Sequence, residues 1–141
     1  MAADRAELER FLRGELDAAR FPHREHVRMA FETLRRHDFA ASVWLFSRAL
    51  RAMTAKAGRP QAFHQTITVA FLSVIAERMD SGRGLEYAAF ESANPDLLDQ
   101  GVLAHWYRPE QLATELARRT FVLPERTAGD GAVGSALRPQ S

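Results

Sequence analysis

A chain of 141 residues that is 46% hydrophobic is long enough to bury a core but too short for two independent ones, so one domain is expected. It contains no cysteine, which excludes disulfides, thiolate metal sites and thiol nucleophiles and leaves histidine and oxygen as the only metal ligands. Net charge is +1, Lys56 is the only lysine, and the arginines alternate with acids along the same segments, a pattern that argues against a nucleic-acid partner.

The charged opening, MAADRAELER, has no signal-peptide pattern, and the longest apolar stretch, Ile67 to Ala76, is about half a membrane span. A cytoplasmic protein without a membrane partner is expected. A first helix is predicted from Asp4 to about Ala19, with Asp4 and Glu7 as a variant capping box and Leu8, Phe11, Leu12, Leu16 and Ala19 as one apolar stripe. A second opens at Pro22, whose fixed φ suits a first helical position, and turns His23, His26, Val27, Ala30, Phe31 and Leu34 to one side. It stops at Arg36-His37.

Asp38 can cap a third helix with Phe39, Val43, Phe46, Leu50 and Met53 facing inward, and Gly58 supplies its stop. Pro60 is expected to begin a fourth, carrying His64, Ile67, Thr68, Phe71 and Ile75 and ending at Asp80 to Gly84. Beyond it come a short helix from Leu85 to Ser92, a turn at Asn94-Pro95, a helical piece through Leu97, Leu98, Val102 and Leu103, and a last helix from Pro109 that includes Leu112 and Leu116. No strand, fixed repeat or sustained heptad is present. The class is all-α: a single helical domain over residues 1–124, a bundle of about four main helices with short C-terminal ones, followed by a flexible tail over residues 125–141.

Short connections make successive helices antiparallel, so the second and fourth run in the same direction and their starts share one end of the bundle. His23 and His26, three residues apart, then lie on one face at a depth similar to that of His64. Two helix N-termini meeting there favour an anion and keep imidazoles neutral. Such a cluster has two chemical uses. It can hold one divalent metal (zinc, iron or copper) through His23, His26 and His64 with a position open to water or substrate, or it can serve as an acid–base cluster with no cofactor. The spacing does not choose between them, and it is far less specific than the zincin motif.

The plainer expectation for any one histidine on an apolar face is a hydrogen-bonded core residue. Around the cluster, Arg24 is a candidate clamp for a carboxylate or phosphate and Thr68 a candidate ligand contact, while Trp106 and Tyr107 either line the pocket or cover the bundle. Arg28, Arg35 and Arg36 are expected to be solvated, and Glu25 and Glu32 fall off the histidine stripe. His37, at a helix end, and His105 are expected to be structural.

The segments F-x-H-x-x-H-V-R-x-A (Phe21 to Ala30), F-H-Q-T-I-T (Phe63 to Thr68) and W-Y-R-P-E-Q-L with A-R-R-x-F-V-x-P (Trp106 to Pro124) resemble a family of small, largely uncharacterised bacterial helical proteins. The resemblance covers most of the chain apart from its first helix and tail, and implies that the same three histidines act as a unit, without implying a reaction. In the family pattern the third histidine is preceded by tyrosine and followed by glutamate, and a later segment reads Y-S-P-E-R-L. Phe63, Gln65, Arg108 and Gln111 stand at the departing positions, so an activity typical of the family can be altered or lost here. The expected function is a small metabolite-tailoring enzyme acting on a small polar or anionic molecule by metal-assisted or acid–base chemistry. The alternative is a helical module that binds a small molecule or protein, with structural histidines. Homo-oligomerisation is left open.

Overall fold

The computed structural model describes residues 2–125; the residues 126–141 assigned above to a tail lie outside that range. The all-α class holds, with no strand among the described residues. Four longer helices, α1 (Ala2–Leu12), α2 (His23–Arg36), α3 (Phe39–Lys56) and α4 (Gln65–Ser81), are followed by short ones: α5 (Tyr87–Ala93), α6 (Pro109–Leu112) and α7 (Glu115–Arg119). None of the described helices is long and apolar enough to cross a membrane.

α1 stops at Leu12 rather than continuing to Ala19. At Gly14 the backbone takes φ +72°, and a Cβ there would lie 2.5 Å from that of Ala52 on α3, so a glycine is what lets the chain leave the helix this close to its neighbour. Asp17 then caps a single 3-10 turn, Ala18–Arg20, its carboxylate accepting from the Ala19 N–H at 3.0 Å. α3 starts as its sequence requires, with the Asp38 carboxylate accepting from the Ala41 N–H at 2.8 Å.

α2 packs against both α3 and α4, and α1 lies across α2 and α3. Phe11 of α1 is fully buried, its ring centroid 5.1 Å from that of Phe21 and 4.9 Å from that of Phe46. Burying one such ring contributes roughly 2 to 3 kcal/mol. A second aromatic group joins Phe31 of α2 to Phe90 of α5, at 4.8 Å between centroids. Phe39, expected to face inward, is 41% exposed at the start of α3, whereas Phe46 and Met53 are buried as expected.

Two further expectations are corrected. The segment after Pro60 is a separate 3-10 turn, Pro60–Ala62, and α4 begins only at Gln65, with His64 outside it as N-cap. The last helix is broken in two because Thr114 caps α7 with its hydroxyl, which accepts from the Ala117 N–H at 3.1 Å; Ala117 is buried and Leu116 is exposed. The extended 120–125 segment runs back over α4, held by fully buried Thr66, which donates to Thr120 O at 2.7 Å and accepts from the Val122 N–H at 3.1 Å.

The arginines of α2 are less solvated than expected. Arg28 is ion-paired with Glu7 and Glu25, and Arg35 and Arg36 both pair with Glu32, which is buried beneath them.

Candidate active site

α2, α3 and α4 enclose a cavity of about 410 Å³. Its walls are largely aliphatic and aromatic: Phe21, Val27, Phe46, Leu50, Phe71 and Ile75 are among them. The polar groups that line it are His23, His26, Thr68 and Gln100. A concave apolar chamber with a few polar groups is the usual form of a small-molecule site.

His23 and His26 share this wall because α2 begins at His23, so that residues three apart fall on one face within the first turn. Their ring centroids are 6.4 Å apart. The His23 ring stands edge-on to Phe71 at 4.9 Å, and its Nε2 donates to the carbonyl oxygen of Leu97 at 2.9 Å. A carbonyl only accepts, so that bond fixes the tautomer and leaves Nδ1 with its lone pair. His26 packs on Phe21 at 4.5 Å between centroids. Burial pushes the His26 pKa down to about 4; repulsion from His23 whenever that ring is protonated acts in the same direction, and an interaction with the Phe21 backbone opposes both. His26 is therefore neutral at pH 7.

His64 does not join them. Its Nδ1 accepts from the Ile67 N–H at 3.1 Å as the cap of α4, so its Nε2 carries the proton and donates to Leu112 O at 2.7 Å. Both nitrogens are used by the fold. The separation follows from the helix register: His23 meets α4 at Phe71, seven residues beyond His64, or roughly 10 Å along the axis at 1.5 Å per residue. The same capping bond occupies the Ile67 N–H, one of the backbone donors in the first turn of α4.

The expected three-histidine metal centre does not fit this donor set. His64 has no free lone pair, His23 and His26 supply two nitrogens at most, and no group of three His, Asp or Glu side chains among the described residues is placed to hold a metal ion.

The other candidate residues divide in the same way. Thr68 lines the cavity, though its hydroxyl donates to His64 O at 2.7 Å. Arg24 is committed elsewhere, its guanidinium gripping Glu91 of α5 at 2.9 and 3.1 Å. Tyr107 is buried and donates to Val122 O at 2.8 Å, and Trp106 is 45% exposed; both line a smaller hollow beside Phe121, away from the histidines. Glu25 stays with Arg28, and His37 and His105 are exposed.

The positions that depart from the family pattern have structural partners. Phe63 lies under the Arg51 guanidinium at 4.9 Å, and Gln65 joins Arg51 to Ser47. Gln111 donates to Leu123 O and accepts from the Glu125 N–H, while exposed Arg108 stands 3.6 Å from Glu110. The lining residues that sequence reading did not treat as site residues include Phe46, Leu50 and Phe71, which their inward periodicity had placed only in the core, and Gln100, for which the sequence holds no signal.

In comparisons with known proteins, the chain matches no family model, no curated protein and no solved structure.

Proposed function

We propose that this cavity is the site of a small enzyme that binds a compact, largely apolar molecule with one polar end and moves a proton on it, using His23 and His26. The observation that carries the reading is the pair of adjacent imidazoles on the wall of an otherwise apolar chamber. In this scheme the lone pair on His23 Nδ1 takes the proton, and the Leu97 carbonyl orients the ring and stabilises the imidazolium that forms. His26, held neutral, offers the substrate a hydrogen-bonding nitrogen without a second charge beside His23. The scheme needs no metal.

A second reading, a carrier for an apolar ligand, is favoured by the fact that His23 Nε2 and the Thr68 hydroxyl already have partners inside the fold. One experiment separates the two. The probe is 2-tetralone, a compact ring ketone whose α C–H is acidic, incubated with the protein in deuterium oxide and followed by NMR. The enzyme reading expects perturbation of the His23 and His26 ring resonances but not those of His64, together with deuterium uptake into the probe that falls at least about tenfold in His23→Ala, the usual scale for loss of a general base. Binding without deuterium uptake identifies the carrier. Absence of binding overturns both readings.

A further inference from the structure

A different opening lies on the outer side of α3, facing away from the histidine cavity. There α3, the start of α4 and the 119–121 segment border a groove of about 600 Å³. Trp44, Arg48 and Arg51 recur along α3 at helical spacing, and Gln65, Arg119 and Phe121 close the other side. None of the residues lining it is acidic.

The side chains in the groove are arranged in pairs. The Arg48 guanidinium lies 4.4 Å from the centroid of the Trp44 ring, while 60% of Trp44 remains exposed. Arg51 rests on Phe63 and donates to Gln65 Oε1 at 3.0 Å, and Gln65 is itself anchored on Ser47. Phe121 is 41% exposed across the groove, beside exposed Arg119. Among the described residues, none of these arginines has a carboxylate partner, whereas Arg24, Arg28, Arg35, Arg36, Arg78 and Arg83 are each ion-paired. In a chain with a net charge of only +1, that leaves a local concentration of positive charge next to two partly exposed aromatic rings.

We propose that this groove binds a nucleotide: a flat heteroaromatic ring bearing phosphates, either free or as a unit of a single strand. A base stacks on the exposed part of the Trp44 ring, and the phosphates engage Arg48, Arg51 and Arg119. Guanidinium forks match phosphate oxygens in pairs, and a guanidinium stacked on an aromatic ring keeps its in-plane N–H donors for that purpose. Arg48 and Arg51 are about one helical turn apart, roughly 4.5 Å in rise, so one di- or triphosphate can reach both. An acidic peptide offers the charge too, but it draws its affinity from anchors in deep pockets, and the apolar elements here are shallow ring faces suited to stacking.

The test uses the full chain with Trp106→Phe, so that Trp44 is the only tryptophan, titrated with ATP, inorganic tripolyphosphate, oligothymidylate and oligoglutamate. ATP is expected to quench Trp44 saturably and to bind more tightly than tripolyphosphate. Arg48→Ala and Arg119→Ala are each expected to weaken ATP about tenfold, the scale of a lost charge-assisted hydrogen bond, with melting temperatures that stay at the parent value because both residues are exposed. Arg119→Gln provides a second variant that removes the charge while keeping most of the side chain's bulk. By calorimetry, Trp44→Leu is expected to abolish the preference for ATP over tripolyphosphate. Binding of oligothymidylate with no binding of ATP also supports the proposal and places the nucleotide in a strand. Tripolyphosphate binding as tightly as ATP overturns it, as do oligoglutamate binding at least as tightly, affinity unchanged in the arginine variants, or no binding at all.

Discussion

The starts of α2 and α4 carry the same residue type for different ends. At the start of α2, His23 spends one nitrogen on Leu97 O and keeps the other, and His26 beside it is neutral on the wall of a cavity. At the start of α4, His64 spends both nitrogens, one on the Ile67 N–H and one on Leu112 O. The difference lies in where the helix begins. His23 and His26 are inside the first turn and project with the apolar face of α2. His64 is one residue before α4, in the extended conformation of an N-cap (φ −133°, ψ 110°), where a ring nitrogen falls within reach of the third helical N–H. A histidine one position outside a helix becomes part of the backbone scaffold, and one just inside it faces whatever the helix packs against.

The comparison breaks most visibly if His64 is removed. His64→Ala loses the cap of α4 and leaves Leu112 O without its donor, and a destabilisation of about 3 kcal/mol is expected from urea unfolding. His64→Asn, which restores an acceptor at the cap but cannot reach Leu112, is expected to recover about 1 kcal/mol of that. If His64→Ala unfolds with wild-type stability, the two starts are not different in kind.

Acid sharpens the contrast from the other side. The His26 pKa is lowered from 6.5 to about 4, so between those values the unfolded chain binds a proton that the folded chain refuses. The stability associated with neutral His26 is fully present above pH 6.5 and is lost as pH falls toward 4. At about 1.4 kcal/mol per pKa unit, and discounting for partial exposure of the ring, the loss is about 2 to 3 kcal/mol. Carboxylates held low by arginine, such as Asp96 beside Arg78, also lose their contribution in acid, through protonation below their unfolded pKa. The difference between wild type and His26→Leu, measured by urea unfolding at several pH values, isolates the histidine. The wild type is expected to lose more stability than the variant between pH 6.5 and 4; parallel curves would contradict the assignment.

These two helix starts also mark how far the sequence could be read. Periodicity located α2, α3 and α4, the Asp38 cap and the inward positions of Phe46 and Met53, because those depend on residues within a few positions of one another. It placed His23 and His26 on one face for the same reason. It misjudged His64 because a proline at position 60 signals a helix start equally well whether it opens α4 or a separate 3-10 turn. It also assumed that parallel helices are level at their ends, whereas His23 meets α4 at Phe71. The partners that decided the roles, Leu97 O and Leu112 O, are backbone carbonyls, and a carbonyl leaves no trace in side-chain pattern. The Arg24 pairing was illegible for a similar reason, since nothing local to it points to Glu91, 67 residues away.

Filling the cavity separates its architecture from its chemistry. Ala30 is buried on α2 and lines the chamber, so Ala30→Leu adds bulk beside both histidines without touching either ring nitrogen's assigned bond. Because the space exists, stability is expected to stay within about 1 kcal/mol of wild type, less than the usual cost of overpacking a filled core. Binding of 2-tetralone is expected to be lost. Retained binding would move the ligand out of this cavity.

The smallest effect is expected at Arg24, and it decides whether the site extends beyond the cavity. Arg24 sits between His23 and the acidic Glu25 in sequence, with its guanidinium outside the chamber and both of its bonds made to Glu91, which also accepts from the Tyr87 hydroxyl at 3.2 Å. An exposed pair of this kind contributes little to stability, because solvent screens it and two long side chains must be held in one geometry. Arg24→Ala is therefore expected to leave both the melting temperature and the binding of 2-tetralone unchanged. If Arg24 instead releases Glu91 to clamp a charged substrate, a carboxylate-bearing analogue of the probe would bind more tightly than 2-tetralone, and Arg24→Ala would abolish the difference. Equal affinity for the two probes in wild type would confine recognition to the apolar chamber and its two histidines.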